Sequence, residues 1–286
     1  MPGNFTTTAL FRREWALYSF LSNLYSDQTQ IVHLPGEKIH IRMADNPHSN
    51  PESVEVLSPT VETHLLGSVD YERFLRLQQQ LVDQIADRSD GQIRLLICEH
   101  PKIVTIGRAG SPTQVQCSAH LLRSRQLNVR WVKRGGGCLV HAPGQLAVYP
   151  IVPLNWHGFS VGEFLERFQA GITETLHELG VPAKTRPNEF GVWGRTGKLV
   201  AFGVAVRKWV TFHGAFINVC PPMGLFKLVD DGLKNNLNDE AERTSCILAE
   251  RRQAIKMTTI RAALIRHITE SFGCERYHLY TGHPFL

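Results

Sequence analysis

From residue 61 onward, stretches that alternate like β-strands arrive in pairs, and single helical stretches separate the pairs. "IRLLICEHPKIVTIGR" reads as two short strands joined at Glu99–Pro101. "NVRWVKRGGGCLVHAPGQLAVYPIVPL" reads as a strand, a glycine loop and a strand pair turned at "APGQ". "KLVAFGVAVRKWVTFHGAFINV" reads as a hairpin of two long strands with Arg207 and Lys208 near its turn. Between them, "DYERFLRLQQQLVDQIA" puts Phe74, Leu81 and Ile85 at helical spacing. "SVGEFLERFQAGITETLHELG" carries a Ser160/Glu163 capping box and a buried stripe of Val161, Phe164, Leu165, Phe168, Ile172, Leu176 and Leu179. Gly180 closes that helix. A last helix, "MTTIRAALIRHITESFG", ends at Gly273. Strand pairs interleaved with single helices predict an α+β sheet rather than a doubly wound parallel one.

Residues 1–60 follow another pattern. "ALFRREWALYSFLSNLY" places Leu10, Trp15, Leu17, Phe20, Leu21 and Leu24 on one amphipathic face, and "HLPGEKIHIRMADNPHSNPESVE" reads as a polar linker. The expected organisation is an N-terminal extension over 1–60, helix plus linker, and a main domain over 61–286. Hydrophobic residues make up 43% and charged residues 20%, an ordinary globular balance. No apolar run approaches the ~20 residues that span a bilayer, and the opening "MPGNFTTTALFRREW" has no signal-peptide pattern. Cys98, Cys117, Cys138, Cys220, Cys246 and Cys274 are widely spaced with no CxxC, which argues against a zinc site and a disulfide framework. A cytoplasmic protein with reduced thiols, no metal and no membrane partner is expected. The net charge of +5 suits an acidic protein or a phosphorylated carrier and is too diffuse for nucleic acid.

The stretch "RGGGCLVHAPGQ", Arg134–Gln145, bears on function. Three consecutive glycines cost backbone entropy, and one use for them is close approach of the backbone to a ligand. Arg134 beside them is a candidate partner for a carboxylate or phosphate. No Gly-Lys-Ser/Thr follows, so this is not a Walker loop, and a strand follows rather than a helix, so it is not a Rossmann turn. A tight hairpin turn is the other reading.

"EHPKIVTIGR", "RGGGCLVHAPGQLAVYPI", "GVWGRTGKLVAFGVAV" and "WVTFHGAFINV" resemble, in order and at matching spacing, the successive motifs of the lipoate-biosynthesis octanoyltransferases. These belong to the superfamily of lipoate- and biotin-protein ligases. The resemblance covers about residues 61–250. It implies a mixed sheet with helices packed on one side, and a catalytic domain over 61–286. It implies transfer of an octanoyl group from acyl carrier protein to a lysine of lipoyl domains in 2-oxoacid dehydrogenases or glycine cleavage H protein, without a cofactor. It places the acyl-binding role on Arg134, Gly135, Gly136, Gly137, Cys138, Leu139, Val140 and His141. Further acyl contacts fall on Ala201, Phe202, Gly203, Gly214, Ala215 and Phe216, and the activating lysine on Lys198. Chemistry supports such a set. An acyl tail needs an apolar slot, for which Val104, Ile106, Leu139, Val200, Phe202, Val204 and Phe216 are candidates. A lysine beside a thiol raises its thiolate fraction. Loop N–H groups that hold a thioester oxyanion are worth about 3–4 kcal/mol.

The chain departs from the pattern at the nucleophile. The family's Pro-Cys-Gly cysteine falls on Gly232, or on Asp231 with one deletion, and neither forms a thioester. Three explanations follow. A different thiol acts: Cys220 after the last motif strand, ahead of Cys138 and Cys246. Alternatively, a ligase-like or direct transfer needs no cysteine, with Lys198 contacting an acyl-adenylate in the ligase case. Or catalysis is lost and the protein binds acyl chains, with Asp230–Asp231 placing negative charge where a thioester would form. Arg207 and Lys208 are candidates to meet an acidic lipoyl-domain surface.

Overall fold

The computed structural model of the 286-residue chain describes residues 30–34, 37–41, 60–88, 91–187, 189–230 and 243–286. It divides into two units, Met1–Leu57 and Ser58–Leu286. In the first, β1 (Gln30–Leu34) and β2 (Glu37–Ile41) pair antiparallel, with Gln30 opposite Ile41. This corrects the linker expectation there. "QIVHL" and "EKIHI" are β-prone runs on either side of a Pro-Gly dipeptide, a turn signal. The amphipathic helix expected over Leu10–Leu24 lies outside the described residues.

The second unit holds β3 (Thr60–Ser68), β4 (Ile93–Glu99), β5 (Ile103–Ile106), β6 (Asn128–Trp131), β7 (Cys138–His141), β8 (Gln145–Ile151), β9 (Lys184–Arg186), β10 (Glu189–Trp193), β11 (Lys198–Arg207), β12 (Val210–Asn218) and β13 (Arg276–Thr281). Its helices are α1 (Tyr71–Asp87), α2 (Ala119–Ser124), α3 (Leu154–His157), α4 (Val161–Glu178), α5 (Ile247–Arg251) and α6 (Met257–Ser271). An eight-stranded sheet runs β13-β3-β4-β8-β12-β11-β10-β9, and a three-stranded sheet runs β6-β5-β7. In the large sheet β13, β3 and β4 are parallel and the remaining neighbours antiparallel, so the sheet is mixed as expected. The β11–β12 hairpin closes at Lys208 and Trp209, both left-handed at φ 52° and 60°, the geometry of a tight two-residue turn.

Helices cover both faces of the large sheet, which corrects the one-sided expectation. Phe164, Phe168, Ile172 and Leu176 of α4 and Ile260, Leu264, Ile265 and Ile268 of α6 pack with Ile93, Leu95, Val148 and Ile217 on one face. Phe74, Leu77, Leu81, Val82 and Ile85 of α1 pack with Leu96, Ala147, Tyr149 and Phe216 on the other. The period-two alternation of β4, β8 and β12 sends successive side chains into these two cores. The Ser160/Glu163 capping box is present, and Gly180 is left-handed at φ 69°. Val161 at the first helical position is exposed, so the buried stripe begins at Phe164.

The "APGQ" segment does not turn a hairpin. β7 pairs with β5 in the small sheet, while β8 enters the large sheet between β4 and β12. The chain crosses between sheets at Ala142–Gly144. Gly144 is left-handed at φ 88°, its N–H donates to Glu99 Oε2 at 2.9 Å, and a Cβ there would lie 2.6 Å from the Cys220 carbonyl. Likewise β4 and β5, consecutive across Glu99–Pro101, belong to different sheets. No helix among the described residues is long and apolar enough to cross a membrane.

Candidate active site

The glycine loop lies where the small sheet meets β11. Gly135 N–H donates to Val204 O at 3.1 Å, and a Cβ on Gly203 of β11 would fall 2.8 Å from Arg134 Cδ. Loop carbonyls accept in turn from the β5 exit: Arg108 N–H to Arg134 O, Ala109 N–H to Gly136 O and Gly107 N–H to Gly137 O, at 3.0–3.1 Å. A Cβ at Gly107 would meet Gly136 O at 2.4 Å. Close backbone approach is therefore why this stretch is bare of side chains.

Arg134 is fully buried, and its guanidinium bonds within the protein. Nε and Nη2 donate to Thr105 Oγ1 at 3.1 and 2.7 Å, Nη2 also to Thr105 O at 2.8 Å, and Nη1 to Gly135 O at 2.9 Å. These bonds make Arg134 a tether that holds the loop to β5, while it also borders a cavity between loop and sheet. Burial lowers its pKa to about 10, so it remains a cation near neutral pH.

Thr105 hands the network on. Its hydroxyl accepts from Arg134 and donates to His141 Nε2 at 2.9 Å, and His141 Nδ1–H donates to Gln145 Oε1 at 2.9 Å. Gln145 Nε2 donates to Asn218 Oδ1 at 2.9 Å, and Asn218 Nδ2 to Ser245 O at 3.0 Å. The fully buried His141 thus acts as a neutral link between loop and sheet; burial holds its pKa well below the ordinary value.

Burial also lowers His100 to about 4 and His213 to about 3. Histidines kept neutral by burial bind fewer protons folded than unfolded, so they favour the folded state fully above pH ~6.5, and that contribution declines as pH falls toward the folded pKa values. The urea midpoint should drop steeply between pH 6.5 and 4, and His100→Phe should flatten the slope. An unchanged slope in the variant would refute this assignment.

A cavity of about 350 Å³ lies between loop and sheet, lined by Arg134 to Leu139, Leu165, Phe190, Lys198 and Ala201 to Val204. An adjoining cavity of about 40 Å³ is lined by Cys138, Leu139, Val140, Gln145, Lys198, Ala201, Asn218, Phe226, Val229 and Thr244. Lys198 borders both. Its stem passes over Gly191, where a Cβ would lie 2.7 Å from Lys198 Cε, and Nζ stands 5.1 Å from the Trp193 ring centroid. Of the apolar wall candidates, Leu139, Phe202 and Val204 line a cavity. Val104, Ile106, Val200 and Phe216 are core, and Gly214 and Ala215 also line neither cavity. Gly214 packs on β8 instead, where a Cβ would lie 1.9 Å from Val148 O. Sequence reasoning missed Phe190, Phe226 and Val229 as lining residues. Phe190, an exposed aromatic next to the "GVW" motif, was the one visible signal.

The thiols separate clearly. Cys220 is exposed on the loop after β12 and lines neither cavity. Burial, then Cys246 and Glu99, push its thiol up. Cys138 is buried and borders both cavities with Lys198. Its S–H donates to Ser111 O at 3.4 Å. Burial raises the Cys138 thiol, against the lowering effects of the Ser111 backbone and the Arg134 charge, and Asp230 adds to the rise. Cys246 is buried at the start of α5. The family cysteine slot, Asp231 or Gly232, lies outside the described residues. Arg207 and Lys208 are engaged by their own chain: Arg207 Nη2 meets Asp83 Oδ1 at 2.6 Å, and Lys208 Nζ meets Asp83 at 3.5 Å and Asp87 at 3.9 Å.

Comparison with known proteins accords with this geometry. The chain is 34% identical over 221 residues to an octanoyltransferase of Chloroflexus aurantiacus, covering 76% of this chain and 96% of that protein. It is 36% identical over 165 residues to an octanoyltransferase of Geobacter sp. (strain M21), covering 58% of this chain and 76% of that one. A bipartite lipoate protein ligase from Thermoplasma acidophilum, studied with its E2 lipoyl domain, shares the fold at TM-score 0.63 and 17% identity, over 79% of this chain and 89% of that one. The family described as the lipoyl protein ligase A/B catalytic domain matches residues 70–269, and the chain belongs to that family.

Proposed function

We propose that this protein transfers an octanoyl group from acyl carrier protein to a lysine of a lipoyl domain. The observation that carries the reading is Lys198 at the junction of two cavities, one walled by glycine backbone and apolar side chains. The octanoyltransferase relatives support the acyl group, and the ligase neighbour studied with its lipoyl domain supports the acceptor class. Burying the tail favours binding by about 0.8 kcal/mol per methylene. The donor is a thioester and already activated, so the overall exchange of thioester and amine for amide and thiol needs no nucleotide. Reduced thiols fit a cytoplasmic setting.

Among the described thiols, Cys138 shares both cavities with Lys198, and we assign it the transient acyl. Lys198 takes the Cys138 proton, the thiolate attacks the carrier thioester, and the carrier thiolate leaves with that proton returned from Lys198. The acceptor amine then attacks the acyl carbonyl, the Cys138 thiolate leaves and takes up the proton that the amine loses, and the amide forms. Cys220 would serve only if the acyl carbonyl were held at the Gly144–Pro221 corner. Direct transfer from carrier to lysine is the second reading, favoured by the upward shifts of Cys138 and Cys220.

Incubation with octanoyl carrier protein and intact-mass analysis should give one hydroxylamine-labile octanoyl adduct on Cys138. An adduct on Cys220 would move the centre to the other corner. Turnover without any adduct would establish direct transfer. No turnover and no adduct would refute the transfer reading.

A further inference from the structure

The start of β11 at Lys198 is held by residues 243–245, and one buried carboxylate organises that support. The Lys198 N–H donates to Arg243 O at 2.7 Å, and Lys198 O accepts from Ser245 N–H at 2.8 Å, so residues 243–245 brace the start of β11. Before Lys198 the chain makes a tight loop, Gly194–Gly197, closed by Gly194 N–H to Gly197 O at 2.8 Å. Gly197 has φ 132°, and a Cβ there would strike Arg243 O at 2.1 Å. The Glu250 side chain of α5 is fully buried and reaches into this loop. Oε1 accepts from Arg195 Nε at 2.8 Å; Oε2 accepts from Thr196 N–H at 2.9 Å and from the Thr196 hydroxyl at 2.8 Å. Because Thr196 donates to the carboxylate, its oxygen accepts from Ser245 Oγ at 2.7 Å. Loop, brace and helix therefore converge on one carboxylate. A Cβ on Gly194 would lie 2.6 Å from Glu250 Oε2, so the loop is fitted around it. Burial pushes the carboxyl pKa up, and the Arg195 and Thr196 donors pull it below the usual range, which keeps it ionised.

We propose that Glu250 is a positioning residue for the acyl-transfer centre: it clamps the Arg195–Thr196 loop and thereby fixes Lys198 at the cavity junction. Nothing in this role requires Glu250 to touch the acyl group, and it borders neither cavity. The carboxylate must be an anion, because all three contacts from the loop are donors. Glutamine cannot replace it, since its amide N–H would face Arg195 or Thr196. The inference rests on the transfer reading for its kinetic meaning, although the placement of Lys198 can be read without turnover.

The experiment compares Glu250→Gln and Glu250→Ala in wild-type and Lys198→Ala backgrounds, using the full chain. In the wild-type background kcat should fall ~10-fold or more, as small misplacements of catalytic groups do. KM for octanoyl carrier protein should stay within about twofold, because the walls of the larger cavity belong to other segments. In the Lys198→Ala background the Glu250 variants should cause no further loss. Additive losses, or a rise in KM with kcat unchanged, would overturn the proposal. Independently, the acetylation rate of Lys198 by an activated ester, followed by peptide mass spectrometry across pH, should change in the Glu250→Gln variant. Lys184 serves as the internal reference. If the wild-type protein transfers no octanoyl group, the transfer reading fails while the labelling still decides the clamp. Unchanged Lys198 labelling in a folded Glu250→Gln variant would refute it.

Discussion

Lys198→Ala should lower octanoyl transfer by roughly 10²–10⁴-fold, the range for loss of a positioned proton-transfer group. Octanoate binding, read by calorimetry, should change little, because loop and strand supply most of the apolar wall. The amine is placed by its own stem, which lies against Gly191 and the Trp193 ring. Lys198→Arg should fail to restore the rate, since a guanidinium does not give up its proton and is too broad for the same seat. Single-turnover transfer from octanoyl carrier protein is the measurement. Activity within about threefold of wild type would remove Lys198 from the chemistry.

The second large effect falls on stability. Arg134→Ala strips donors from Thr105 Oγ1, Thr105 O and Gly135 O inside a closed region and leaves a void. Leaving these buried acceptors without their donors costs about 1–3 kcal/mol each, so about 3–5 kcal/mol for the set. For a unit of this size that lowers Tm by roughly 10 °C. Arg134→Lys should recover only part of it, because one ammonium cannot reach all three acceptors in the plane that the guanidinium spans. An Arg134 that bound substrate charge would behave differently: its alanine variant would keep Tm and raise KM. A thermal melt beside a KM measurement separates the two.

Local chemistry was legible in the sequence and tertiary partnership was not. The Ser160/Glu163 cap, the Gly180 stop and the β11–β12 hairpin follow from short-range rules, and all are present. "APGQ" obeys the same rules and misleads, because its fold depends on distant groups, Glu99 and the Cys220 carbonyl. The apolar stripe of α1 was visible, but a stripe does not say which face of a sheet it will cover. Arg134 beside glycines looks the same in sequence whether it serves a ligand or a threonine. Lys198 carried no signal of its own beyond its motif. Glu250, far from every motif, is buried by a fold that pattern reading could not assemble.

The bare backbone along the cavity has an evolutionary consequence. Gly135, Gly136, Gly137 and Gly203 form part of its lining, and any replacement at these positions adds atoms. Mutation there can only shorten the space open to an acyl chain. Room for a longer chain has to come from trimming larger side chains, among them Leu139, Leu165, Phe190 and Phe202. Substitutions that shorten the space are therefore available at more of these lining positions than substitutions that lengthen it.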